Sequence, residues 1–228
     1  MSERGPSAQS YGPDGQLERQ EVLSEIRSVA RHVKILLHQM REQVDRGEYQ
    51  LLIGDDASGR ISTLFFGRIL ENLYKEKGYQ PPEVRFFAGS HWDDSEELHQ
   101  ERVGRLKELV GKYRRALVVT DTIQSGQALF GITKALRELD IPYDIAAEGM
   151  LGSKNELEQK LGGKIFYATK QLPLIHRQPH LSGVEKEKGS LHAKRANLPE
   201  RIYIERSREN VRTLSEDLTQ WYKENKEP

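Results

Sequence analysis

The stretch "ALVVTDTIQSGQAL" (residues 116–129) sets a continuous apolar run directly before an acid, a small-residue loop and the first turn of an amphipathic segment. Extended back to "RRALVVTD" (114–121), the run predicts a central parallel strand. Only a strand covered on both faces keeps both of its side-chain rows apolar. Asp121 then falls at the strand end, and a loop with Gln124, Ser125, Gly126, Gln127 and Ala128 opens a helix over 127–139. Backbone N–H groups in such a loop, the Ser125 hydroxyl and the positive helix terminus can together surround a phosphate without any lysine. Asp121 can accept hydrogen bonds from sugar hydroxyls beside it. A strand-to-helix turn with Ser and Gly chosen for tightness explains the same letters without a ligand.

Working outward, "YQLLIG" (49–54) is a short strand ending in glycine, and helical spacing returns over 61–77. "EVRFFAG" (83–89) reads as a further strand, and the second half of the polar stretch 90–113 reads as a helix. After the break at Pro142, "YDIAAEGML" (143–151) is another strand. Repeated strand, loop and helix units imply an α/β fold with a right-handed parallel sheet, whose ligands sit at the carboxyl ends of the strands. Both "GDDASGR" (54–60) and "TDTIQSGQ" (120–127) fall at such ends.

On the amino-terminal side, Val22, Ile26, Val29, Val33, Leu36, Leu37, Met40 and Val44 form one apolar stripe of a helix over 17–47 that Gly47 can terminate. Residues 1–16, rich in Ser, Gly, Pro and Gln, read as a flexible tail. Residues 152–206 are less regular and suggest a smaller accessory region. A last helix over 207–226, with Leu214, Leu218 and Trp221 on one side, either docks back or mediates homo-oligomers.

Across its 228 residues the chain balances 35 basic against 35 acidic side chains, so no global field draws it to nucleic acid or anionic lipid. Any phosphate site must be local. Cysteine is absent, which excludes disulfides, thiolate metal sites and cysteine nucleophiles, and agrees with a reducing, cytoplasmic setting. No apolar run is long enough to span a bilayer, and "MSERGPSAQSYGPDGQLERQ" lacks the hydrophobic centre of a signal peptide.

The order of apolar strand, acid, small-residue loop with Ser-Gly, and helix resembles the signature of type I phosphoribosyltransferases. In that family two acids hold the ribose hydroxyls of phosphoribosyl pyrophosphate and the loop holds its 5-phosphate. Asp121 takes the second acidic place, Ile123 the apolar place, and Ser125-Gly126 the phosphate-loop pair. Two positions depart: Thr120 stands where the first acid is usual, and Ala128 where a second phosphate-binding hydroxyl is common. The resemblance implies the family's parallel sheet with a small hood, here about 164–206, and extra helices at both ends.

The glycines of "GDDASGR" have the spacing of a Walker A loop, but Arg60 and Ile61 replace the required Lys and Ser or Thr, and no Walker B strand is evident. In the family that the chain resembles, the loop after the first sheet strand binds pyrophosphate through backbone amides. Gly54, Asp56, Ala57 and Gly59 match the adenine-type pattern there, with Asp55 and Ser58 between them. Amides from Ala57 to Arg60 would face the diphosphate, and Arg60 would add charge. An acidic pair beside diphosphate repels it unless a divalent cation intervenes or the side chains point away, which is a reason to expect Mg2+ with the ligand. A turn whose Asp residues merely start the helix at 61 stays open as the plainer reading.

The segment 90–107 corresponds to a mobile loop that closes over the substrate, with His91, Arg102, Arg105 and Lys107 as contributors, or to a solvated helix face. Phe166 and Tyr167 of the hood would shape a base pocket. His176, His180 and His192 match no common zinc spacing and read as surface or hydrogen-bonding groups. A dehalogenase-type phosphatase fails because Ile123 stands where its second acid is needed.

The resemblance implies transfer of a phosphoribosyl group to a small nitrogenous acceptor such as a nucleobase, releasing pyrophosphate. Asp121 and Arg60 would be the catalytic residues; Thr120, the 124–128 loop and Asp55 to Gly59 would bind substrate. A non-catalytic protein that binds phosphoribosyl pyrophosphate or a nucleotide, and a plain interaction module, are the alternatives.

Overall fold

The computed structural model describes residues 22–88, 95–171, 179–187, 190–197 and 201–225. Strands β1 (Tyr49–Asp56), β2 (Glu83–Ala88), β3 (Arg115–Ile123), β4 (Tyr143–Met150) and β5 (Lys164–Thr169) form a parallel sheet in the order β2-β1-β3-β4-β5. The apolar run of β3 is central, as its composition requires. Leu117 and Val119 enter the core on one face, Ala116 and Val118 the core on the other.

On the first face lie α1 (Ser24–Gln39), α3 (Arg60–Glu76) and α8 (Arg201–Glu224), which bring Val33, Phe65, Phe66 and Tyr222 against Leu52, Leu117 and Ala146. On the second face α4 (Glu96–Lys107), α5 (Gln127–Glu138) and α6 (Lys154–Leu161) cover Ile53, Val118 and Ile145 with Leu106, Ile132 and Leu161. The chain leaves β1 toward β2 on one side and returns to β3 on the other. The strand order therefore reverses between β1 and β3, where an open α/β sheet leaves a crevice beyond the strand ends.

Several expected elements differ. The helix expected over 17–47 is two pieces, α1 and α2 (Arg41–Asp45), because Met40 leaves helical geometry at φ −101° and ψ 13°; Gly47, at φ 65°, ends the second as expected. Residues 17–21 lie outside the described residues. Lys164–Thr169, expected in the accessory hood, is the edge strand of the main sheet, paired with β4 through Ile145–Ile165 and Ala146–Phe166. Phe166 is consequently a core side chain, and Tyr167 packs against the second core rather than lining a base pocket. Among the described residues, the accessory region further contains α7 (Pro179–Ser182) and an antiparallel pair, β6 (Val184–Lys186) with β7 (Ala193–Arg195).

The last helix begins at Arg201, before the expected Ser207, and docks back on its own chain. Its Trp221 ring receives Lys34 at 4.4 Å and its Tyr222 ring receives Arg41 at 4.0 Å. The Tyr222 hydroxyl donates to Asp45 Oδ1 at 3.1 Å.

At the amino end of the sheet, the Tyr49 hydroxyl donates to Asp144 Oδ2 at 2.9 Å, and Arg115 donates to Oδ1 at 3.1 Å. Burial, reinforced by the Asp144 carboxylate, holds the Tyr49 hydroxyl far above its usual range, so it stays a donor. Tyr49→Phe leaves a buried carboxylate oxygen without its donor and is expected to cost about 1–3 kcal/mol, read as a lower urea midpoint at unchanged m-value.

Candidate functional site

Both loops singled out from the sequence border the crevice between β1 and β3. In the first, β1 runs to Asp56, residues 57–59 turn, and α3 starts at Arg60. The Asp56–Ala57 peptide is cis. Gly59 donates its N–H to the Asp55 carbonyl at 2.6 Å, and its own carbonyl accepts from Thr63 N at 2.9 Å and Thr63 Oγ1 at 2.7 Å.

The glycines that mimic a Walker loop have packing reasons. A Cβ on Gly59 would lie 2.3 Å from the Val119 carbonyl oxygen and 2.9 Å from Thr120 Cα, so the loop rests directly on the backbone of β3. A Cβ on Gly54 would lie 2.6 Å from the Phe86 ring and 2.7 Å from Thr63 Oγ1. Their spacing is set by the two neighbouring strands.

The two acids of this loop are already engaged by groups of the protein. Arg60 grips Asp56 with two parallel bonds, Nε to Oδ1 and Nη2 to Oδ2, each 2.8 Å, and its guanidinium lies 4.3 Å over the Phe86 ring. Fork geometry of this kind is the strong form of a charged hydrogen bond. Asp55, buried, accepts at Oδ2 from Ser58 Oγ at 2.8 Å and from Thr120 Oγ1 at 3.2 Å. Thr120 thus belongs to the first loop as much as to the second.

The second loop follows a strand longer than expected, since β3 continues through Ile123 and carries Thr120 and Asp121 inside it, both buried. Gly126 takes left-handed geometry at φ 71°, which its lack of a side chain permits, and caps α5. Ser125 Oγ accepts from the Gln127 N–H at 3.4 Å. Gln124, Ser125 and Gln127 are exposed and Ala128 is half-buried.

Three contributors escaped the sequence reading. Helix α6 supports the second loop: Lys160 Nζ donates to the Ser125 carbonyl at 2.6 Å, and Leu161 packs beneath Gly126. Its signal was the Leu157–Leu161 spacing ended by Gly162. Glu148, buried in β4, lies beside Asp121, because Thr120 pairs with Ala147 and Thr122 with Gly149. Its carboxylate accepts from Ser62 Oγ and lies 3.0 Å from His32 Nδ1. A lone glutamate inside "YDIAAEGML" was its signal.

The other candidates stand elsewhere. Arg102 is buried in α4, Arg105 and Lys107 are exposed on it, and His91 lies outside the described residues. Arg105 contacts His192; His176 and the side chain of His180 lie outside the described residues. Among the described residues no three His, Asp or Glu side chains converge on a metal position, and no helix is long and apolar enough to cross a membrane.

No protein-family model matches this chain, and no curated protein matches it. Solved structures that it resembles include the hypoxanthine-guanine phosphoribosyltransferase of Schistosoma mansoni in complex with IMP, at 14% identity and a TM-score of 0.40, over 67% of this chain and 69% of that one. Another is the orotate phosphoribosyltransferase of Aeropyrum pernix, at 13% identity and a TM-score of 0.39, over 70% of this chain and 84% of that one.

Two substitutions test the framework. Gly59→Ala drives a methyl group into the β3 backbone and is expected to cost about 1–3 kcal/mol in chemical denaturation. His32→Ala removes a partner of the buried Glu148 carboxylate and is expected to cost about 2 kcal/mol by the same measurement.

Proposed function

We propose that this protein transfers the phosphoribosyl group of phosphoribosyl pyrophosphate to a nitrogenous acceptor such as a nucleobase. The observation that carries the reading is the placement of the 55–60 and 124–128 loops on either side of the β1–β3 switch point, with Asp121 buried in β3, two residues before its end. A ligand with a phosphate at each end and a sugar in the middle fits that order of groups.

In this reading, backbone N–H groups of the 124–128 loop, the Ser125 hydroxyl and the start of α5 hold the 5-phosphate. Lys160 keeps the loop in place through its carbonyl. Of the amides expected to face the diphosphate, Gly59 and Arg60 spend their N–H groups on the Asp55 and Ala57 carbonyls, so those of Ala57 and Ser58 receive it, and its charge competes with Asp56 for the Arg60 guanidinium. As the bond from the anomeric carbon to the diphosphate oxygen breaks, positive charge develops on the sugar and the Asp121 carboxylate stabilises it. The acceptor nitrogen forms the new bond and gives up its proton to solvent, and pyrophosphate leaves. Most of the acceleration is positioning.

Magnesium fits this site only as a companion of the diphosphate. Asp55 and Asp56 are committed to Ser58, Thr120 and Arg60, so the ion would be held chiefly by ligand oxygens and water, where it supplies charge neutralisation.

Ala128 and Thr120 favour a second reading, a regulatory protein that binds phosphoribosyl pyrophosphate or a nucleotide without turnover. Asp121→Asn separates the two: it abolishes pyrophosphate release from an enzyme and changes only affinity in a binding protein.

The first experiment is calorimetric titration with phosphoribosyl pyrophosphate, with and without magnesium, on the wild type and on Ser125→Asp. Ser125 is exposed, so the variant keeps the fold while placing a negative charge in the phosphate cradle. Binding that falls by at least about tenfold in the variant is the expected outcome. An absence of heat and of thermal stabilisation in the wild type would remove both ligand-based readings.

A further inference from the structure

Successive side chains of a strand point to opposite faces, so Thr120 and Asp121 address the two sides of the sheet. Asp121 lies level with Glu148, whose carboxylate meets α1 and α3 through His32 and Ser62, while Thr120 lies against Asp55. On its own side Thr120 ends in a hydroxyl, yet a carboxylate is present there, delivered by the adjacent strand. Asp55 Oδ2 lies 3.2 Å from Thr120 Oγ1, and both residues are 1% exposed. The end of β3 is therefore bracketed by two buried carboxylates, one from each strand.

This contact constrains residue 120. An acid there would stand against the Asp55 carboxylate, and two carboxylates at that separation do not both ionise without a large penalty. While position 55 is Asp, position 120 has to be a neutral donor, and threonine is small enough to lie under the loop that Gly59 presses onto β3. Asp55 Oδ2 is engaged by two hydroxyls, those of Ser58 and Thr120. A sugar hydroxyl can replace the Ser58 hydroxyl like for like, with no change in charge.

We propose that Asp55 is a sugar-binding carboxylate of this site, paired with Asp121, and that Thr120 is the neutral donor that orients it. The inference rests on the phosphoribosyl reading above. It gives Asp55 a role toward the ribose, whereas the amides after it face the diphosphate. Because Ser58 sits in that same loop, engagement of Asp55 by the sugar also moves the loop's hydroxyl.

The test compares the wild type with Asp55→Thr, Thr120→Asp and the exchanged double variant, titrating each with phosphoribosyl pyrophosphate and, separately, with inorganic pyrophosphate. Each single variant is expected to weaken phosphoribosyl pyrophosphate by at least about tenfold while changing pyrophosphate by less than about threefold, and the exchange is expected to recover most of the loss. Asp55→Asn, which keeps the shape of the side chain, is expected to show the same selective loss and serves where Asp55→Thr fails to fold. Equal weakening of both ligands would make Asp55 a loop-shaping residue and overturn the proposal, as would a double variant no better than the worse single one. A wild type that binds pyrophosphate but not phosphoribosyl pyrophosphate would instead overturn the phosphoribosyl reading itself.

Discussion

Gly59 lies so close to strand β3 that a methyl group in its place would meet the Val119 carbonyl at 2.3 Å, and much of the site follows from that approach. It brings the turn after β1 onto the central strand and sets Asp55 within reach of Thr120. Thr63 fixes the same glycine from the other side by bonding its carbonyl through both backbone and hydroxyl. A loop clamped from both sides has little conformational freedom left.

The carboxylates around the crevice are each held by local partners, one by a cation and the others by hydrogen bonds. Arg60 answers Asp56, the hydroxyls of Ser58 and Thr120 answer Asp55, and Ser62 with His32 answer Glu148. Buried carboxylates need such partners, since desolvation alone costs more than a packed core returns. This explains how the chain tolerates a concentration of buried acids at the sheet ends.

The difference between what the letters suggest and what the chain does is clearest at the edges. β3 is legible because covering on both faces demands an unbroken apolar run, a pattern that neither an amphipathic helix nor a half-exposed strand produces. β5 is not, because an edge strand with a lysine at its start and Gly162-Gly163 before it has a short run whose partner, β4, is a long-range choice. The break at Met40 is hidden for a related reason: the apolar stripe continues through it, and only the turn of the backbone shows that α1 and α2 are separate.

By itself the sequence determined the alternation of strands and helices, the two loops at strand ends and the glycines within them, because periodicity and turn chemistry are local. Tertiary structure alone decided which strands became neighbours, and with that the roles of the polar residues. Thr120 looks like a lost acid until β1 sets Asp55 beside it, Arg60 looks like a spare cation until Asp56 takes it, and Glu148 and Lys160 carry no visible role at all. A side chain's partner is fixed by distances across the sheet, and those arise from packing that no stretch of local sequence contains.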